Sequence, residues 1–354
     1  MDNTLTTQVE TLTNQVSPSQ LGTLLAAYIP AHLPVLVTGA PGVGKSDIAS
    51  AAAERAGYEL LISHPVVEDP TDSKGLPFPS PDGQAAKFLP FGDLERVLNS
   101  KEPLVWFFDD LGQASSAVQA AKMQLLLARR IGEHTLPDHV TFLAATNRRT
   151  DNAGVSGILD PVKSRFATIV ELVPNIDAWA AWAVKAQLPA ELIAFLRFKP
   201  ELLVSKERTR DIENLPSPRG WGMVGKQMSV VPAGLEAIAF TGAVGSGAAV
   251  ELQAFRETFR SLPSVGSVLL APDTARIPEE PSARIGIATA VAGQATAANI
   301  DRILVYADRM YDGGHGDCAT MLISDAVRRD ESIVAAPAFI TAQSGWIGAA
   351  MDGR

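Results

Sequence analysis

The sequence predicts an α/β protein: a three-layer αβα core built on a parallel sheet, then an all-helical region and a helical C-terminal extension. Three observations carry this. Short apolar runs rich in β-branched and aromatic residues recur at 34–38, 58–63, 104–108 and 140–146, as expected of strands buried on both faces. Segments of helical character separate them, and crossovers between parallel strands require such segments. Beyond residue 175 the strand pattern disappears, and Ala-rich helical stretches run to the end.

At 354 residues the chain exceeds the size at which one core keeps growing. The expected division is an N-terminal tail and helix (1–30), the αβα core (31–174) with an insert at 64–90, a helical domain (175–265) and a C-terminal helical extension (266–354). Net charge is −9 and no run of Lys and Arg stands out, which argues against nucleic acid as the main partner. Cys318 is the single cysteine, so no intrachain disulfide forms and a reducing compartment, the cytoplasm, is expected. The longest uncharged stretches, 237–250 and 285–300, fall short of the ~20 apolar residues that span a bilayer, so no membrane insertion is expected.

In chain order, residues 1–16 are polar and acidic, without the basic and apolar parts of a leader, and read as a tail. Ser17-Pro18-Ser19-Gln20 places an N-cap, a first-turn Pro and a capping-box Gln in register, so a helix begins there and runs to about Tyr28. Next comes Gly39-Ala40-Pro41-Gly42-Val43-Gly44-Lys45-Ser46, which fits the phosphate-loop pattern G-x-x-x-x-G-K-[S/T] between a strand and a helix ending at Gly57. Backbone N–H groups can wrap a phosphate only where side chains do not crowd them, and a helix start adds partial positive charge. The expected nucleotide-binding set is therefore Gly39, Pro41, Gly42, Val43, Gly44, Lys45, Ser46 and Asp47, with Lys45 along the β- and γ-phosphates and Ser46 on Mg²⁺.

The proline-rich stretch 64–90 reads as a long functional loop. Phe78 and Phe88 flank a turn at Pro81-Asp82-Gly83; they either fill core, the commoner use of phenylalanine, or decorate a hairpin. The run 104–108 then ends in Asp109-Asp110, acids delivered to the carboxyl edge of the sheet, where ligands of such folds sit. Asp109 is expected to hold Mg²⁺, and Asp110 to orient or deprotonate the attacking water. A helix over 115–130 puts Val118, Ala121, Leu125 and Ala128 on one face and leaves Gln119, Lys122 and Arg129 to solvent or a neighbour. Gly132 and Pro137 suggest a hairpin; His134 and His139 read as solvated or hydrogen-bonded, not as metal ligands.

Strand 140–146 delivers Asn147, whose amide suits a water or γ-phosphate contact, followed by Arg148 and Arg149. Arg165 ends a short helix ahead of a strand over 167–172. Helices are expected over 176–186, 189–197 and 235–243, and Ser217-Pro218-Arg219 fixes Arg219 in a helix's first turn, where a cation opposes the dipole and suggests an anionic partner. The glycine-rich run 242–247 reads as a loop.

The order GAPGVGKS, VWFFDD, ATN, SRF, SPR resembles the AAA+ ATPases, most closely the MoxR-like branch, over roughly residues 33–228. The resemblance implies ATP and Mg²⁺ as ligands, Asn147 as sensor 1, Arg165 as an arginine finger acting on a neighbouring subunit, Arg219 as sensor 2, and the helices after Asn175 as a lid. It further implies a homo-hexameric ring that remodels a protein client, often with a von Willebrand factor A domain partner, and makes Phe78 or Phe88 pore or partner contacts. One departure is that the family has Asp-Glu where this chain has Asp109-Asp110, a side chain shorter by one C–C bond, ~1.5 Å. Slow hydrolysis, or a backbone adjusted to compensate, is the expected consequence. Arg148 and Arg149 compete with Arg165 for the role in trans. A nucleotide-gated scaffold with weak hydrolysis and a nucleic-acid motor are the alternative readings.

Overall fold

The computed structural model describes residues 13–151, 157–205, 207, 209 and 211–352. The chain forms two compact units, Met1–Val173 and Pro174–Arg354.

The first unit contains the strands β1 (Gln15–Val16), β2 (Val35–Thr38), β3 (Glu59–Ser63), β4 (Leu76–Pro79), β5 (Ala86–Leu89), β6 (Leu104–Phe108), β7 (Arg130–Ile131), β8 (His134–Thr135), β9 (Val140–Thr146) and β10 (Thr168–Leu172). Its helices are α1 (Pro18–Tyr28), α2 (Lys45–Arg55), α3 (Pro70–Lys74), α4 (Gly92–Asn99), α5 (Ser116–Ala128) and α6 (Asp160–Lys163). Six strands make one parallel sheet in the order β1-β10-β2-β9-β6-β3. The α/β class and the three-layer αβα core with a parallel sheet are thus as the sequence predicts. The central strands β6 and β9 are buried along their whole length, which explains their uninterrupted apolar runs. On one face Val35, Val37, Val105, Phe107 and Leu143 pack against Leu21 and Leu25 of α1 and Ala49 and Ala52 of α2; on the other Leu36, Trp106, Phe108 and Phe142 pack against Leu94 of α4 and Leu125 of α5.

Local chemistry sets the element ends. Ser17 and Gln20 close the capping box of α1, with Gln20 N donating to Ser17 Oγ and Ser17 N donating to Gln20 Oε1. The N-terminal segment departs from a plain tail: Gln15 and Val16 add an edge strand in register with Glu171 and Leu172. The insert departs from a plain loop as well, holding a turn at Pro65–Val67, then α3, then the antiparallel hairpin β4-β5. Phe78 and Phe88 do not fill core: both are exposed, as are Leu76 and Leu89, because a two-stranded hairpin that no other described element covers buries neither face.

Backbone polarity in this hairpin is one-sided. Phe88 N donates to Glu133 Oε1 at 3.2 Å, and Phe88 O lies 2.9 Å from His134 Nε2, so the polar groups of Phe88 face away from β4. Its partner Pro77 therefore also faces outward, and so does Pro79 two residues on, placing prolines where β4 would otherwise present N–H groups.

Gln119 and Lys122 are buried rather than surface residues, since both lie on the stripe of α5 that contains Val118, Ala121 and Leu125. Gln119 is satisfied by donating to Ala114 O and Gly157 O and accepting from Leu159 N. Lys122 pairs with Glu68 at 2.6 Å.

The second unit, among its described residues, is helical: α7 (Ile176–Lys185), α8 (Ala190–Phe198), α9 (Pro218–Gln227), α10 (Glu236–Val244), α11 (Ser246–Arg260), α12 (Val265–Leu270), α13 (Pro281–Ala292), α14 (Ile300–Asp312), α15 (Gly316–Arg329), α16 (Pro337–Ala342) and α17 (Trp346–Asp352). The glycine-rich run is mostly helix, not loop, because Gly245 alone separates α10 from α11 and its N–H closes α10 onto Thr241 O. One core gathers Trp179, Phe195, Trp221, Phe240 and Phe255; another gathers Ile287, Ile303, Tyr306, Leu322 and Phe339. Arg197 of α8 forms a buried ion pair with Asp325 of α15 that joins them. Among the described residues no helix is long and apolar enough to cross a membrane.

Candidate active site

The sheet order makes β2, β9 and β6 consecutive neighbours, so the segments leaving their carboxyl ends meet. These are the loop 39–46, Asn147 and Asp109-Asp110.

Gly44 serves as N-cap of α2 with φ 96°, a left-handed value that disfavours any side chain, and no side chain caps the helix. A Cβ on Gly39 would lie 3.0 Å from Leu172 O and 3.3 Å from Val43 Cγ2, so a side chain here would crowd the end of β10 and the loop itself. Val43 turns its side chain into the core, Pro41 is exposed, and Asp47 lies exposed in the first turn of α2, where its charge suits the helix dipole.

Lys45 is buried, with its ammonium donating to Gly39 O at 3.0 Å, Ala40 O at 3.1 Å and Asn147 Oδ1 at 2.8 Å. Asn147, also buried, donates from Nδ2 to Asp110 Oδ1 at 3.2 Å. A cation on one side and a carboxylate on the other fix which end of the amide is oxygen. Ser46 Oγ donates to Asp109 Oδ2 at 2.7 Å, and Asp109 is anchored in turn by its N–H on Ser63 O at 2.9 Å. Asp110 adopts φ 56°, ψ 32°, a left-handed conformation that Asp tolerates better than most residues, and it starts the turn Leu111–Gln113.

A hydroxyl and a carboxylate in mutual contact are the hard oxygen donors Mg²⁺ prefers, so Ser46 and Asp109 fit that ion, with phosphate oxygens and water as its other ligands. The open glycine loop at the start of α2 fits a phosphate chain.

The arginines separate by environment. Arg148 is used inside the unit: it forks onto Asp151, with Nη2 at 2.9 Å from Oδ1, and reaches Glu171 of β10 at 2.8 Å. The Asp151 hydrogen bonds hold its pKa above the ordinary value; burial opposes them, and Glu171 adds to them. Arg149 is exposed. Arg165 follows α6, donates from Nη1 to Ser164 Oγ at 2.7 Å, and has a buried Nε with no hydrogen-bond partner among the described residues. Arg219 stands in the first turn of α9, capped by Ser217, in the second unit. His134 and His139 are hydrogen-bonded to Phe88 O and Ser100 Oγ. Asn147 also lines a cavity of about 510 Å³ with Thr38, Ser116, Thr146, Asp160 and Lys163.

Sequence reasoning missed the Lys122–Glu68 pair beneath β6. The signal was present in the helical period, since 118, 121, 122 and 125 share one stripe.

No family model matches the chain. It is similar to midasin from Giardia intestinalis, 32% identical over 175 residues, which make up 46% of this chain and 4% of midasin. The chain therefore spans a small fraction of the length of the curated relative it matches. Among solved structures it is similar to the RuvB Holliday junction branch migration motor of Thermotoga maritima, with TM-score 0.38 and 13% identity over 72% of this chain and 80% of that one. NtrX from Brucella abortus in complex with ADP gives TM-score 0.41 and 13% identity over 77% and 62% of the two chains.

Proposed function

We propose that this chain is an ATP-binding and ATP-hydrolysing AAA+ ATPase of the MoxR-like kind, working as a homo-hexameric ring that remodels or activates a protein partner. The observation that carries the reading is the continuous contact Lys45–Asn147–Asp110 beside Ser46–Asp109, which brings the segments after three adjacent strands to one phosphate loop. Lys45 and the N–H groups at the start of α2 bind the β- and γ-phosphates. Asn147 holds Asp110 in place, and Asp110 orients and deprotonates the attacking water. Ser46 and Asp109 would hold Mg²⁺, which when bound would supply charge neutralisation on the phosphate oxygens. Arg165 serves a neighbouring subunit's nucleotide, a role Arg148 is poorly placed to share because Asp151 and Glu171 already engage it.

ATP hydrolysis per chain, measured from nanomolar concentration upward with Mg²⁺ present, tests this reading. Specific activity that rises and saturates supports a site completed by a neighbour. Absence of turnover at every concentration, with nucleotide still bound, would replace it by the second reading, a nucleotide-gated scaffold, which the short carboxylate of Asp110 favours.

A further inference from the structure

The insert and the two acids share a physical root. The turn Pro65–Val67, which opens the insert, packs on the turn Leu111–Gln113, which directly follows Asp110. Ser63, at the end of β3, takes the Asp109 N–H on its carbonyl and the Trp106 Nε1–H on its hydroxyl at 2.7 Å, and that hydroxyl also bonds Asp93 of α4. Trp106 and Phe108 belong to β6, the strand that delivers the acids.

Lys122 sits over both rings, 5.1 Å from the Trp106 centroid and 4.7 Å from that of Phe108, and pairs with Glu68. Glu68 stands between the opening turn and Asp69, the N-cap of α3, just ahead of the exposed hairpin β4-β5. An apolar residue on this stripe of α5 would serve a core as well, and a buried ion pair adds little stability over one. A charged pair does favour one orientation, because Glu68 is the carboxylate in direct contact with the Lys122 ammonium, while Asp93 and Asp72 add only longer-range attraction.

We propose that Lys122 is a positioning residue that ties the root of the insert to the acid-bearing end of β6, so that nucleotide turnover depends on where the insert is held. This rests on the ATPase reading above. A partner gripping the hairpin would then act on Asp109 and Asp110 through Glu68, Lys122 and the rings of β6.

The test uses the full chain and the paired variant Lys122→Met with Glu68→Leu, which leaves neither charge orphaned. Glu68→Gln, which keeps the side-chain shape but leaves the buried Lys122 ammonium without its contacting carboxylate, is the second variant. Hydrogen exchange over 65–89 and over β6 reads the tether, and ATP kcat, KM and nucleotide affinity read its effect on the site. The expected result is faster exchange over 65–89 with β6 unchanged, and kcat lowered about tenfold with KM within about twofold; Glu68→Gln moves both in the same direction. Unchanged exchange over 65–89, or a kcat of the paired variant within about twofold of the parent, overturns the proposal. A parent chain that binds but never hydrolyses ATP removes the ATPase reading instead, and the exchange comparison still decides the tether.

Discussion

The Lys45 ammonium and the Asn147 amide oxygen are 2.8 Å apart, and the same amide donates to Asp110. Asn147 therefore bridges the ammonium of the glycine loop and the acid. Lys45→Ala is expected to abolish ATP turnover and weaken nucleotide binding together. Asn147→Ala is expected to lower kcat by roughly 10²-fold, as for loss of one preorganised polar contact, with nucleotide affinity nearly unchanged. Equilibrium nucleotide binding beside steady-state turnover separates the two effects, and equal losses of affinity in both variants would contradict this division of labour.

Asp110 combines a short side chain with a left-handed backbone. A glutamate there would overshoot the Asn147 amide by about one C–C bond, ~1.5 Å. Asp110→Glu is accordingly expected not to raise turnover, and Asp110→Ala to lower it by about 10²–10⁴-fold. A tenfold gain on Asp110→Glu would favour the weakly hydrolysing scaffold.

Asp109→Asn keeps an oxygen for the Ser46 hydroxyl but removes the charge that the proposed site offers to Mg²⁺. Its turnover should need about 10–100-fold more Mg²⁺ for half-maximal rate, with Ser46→Ala shifted in the same direction. Mg²⁺ titrations of both variants that overlay the parent would exclude this pair as the ion's ligands.

Alkaline stability should depend on Tyr306, whose burial raises its pKa to about 12 from an ordinary 10.0, while its hydroxyl donates to Arg276 O. The native state keeps the phenol proton where the unfolded chain loses it, so stability is full below pH 10 and falls between pH 10 and about 12. Urea midpoints measured across that window should decline less steeply in Tyr306→Phe than in the parent.

Where chemistry is local, the sequence was readable. The capping box of α1, the glycine end of α2 at Gly57 and the apolar runs of β2, β6 and β9 depend on residues within a few positions of each other. The loop 39–46 and the acids 109–110 were legible for the same reason. Other features depend on partners distant in the chain. Lys122 looks like a surface lysine until Glu68, Trp106 and Phe108 are folded around it. Gln15 and Val16 look like tail until β10 offers them an edge. Phe78 and Phe88 look like core because nothing local reveals that their hairpin lies uncovered.

Pro77 and Pro79 bear on how such a chain stays dispersed. A hairpin carrying Leu76, Phe78, Phe88 and Leu89 in the open is the kind of strand pair that recruits copies of itself into stacked aggregates. With two prolines along the rim of β4, an incoming strand finds no amide hydrogens at those positions. The opposite rim is occupied at Phe88 by Glu133 and His134. The chain can thus display a greasy surface to other molecules while denying its own siblings a template on which to polymerise.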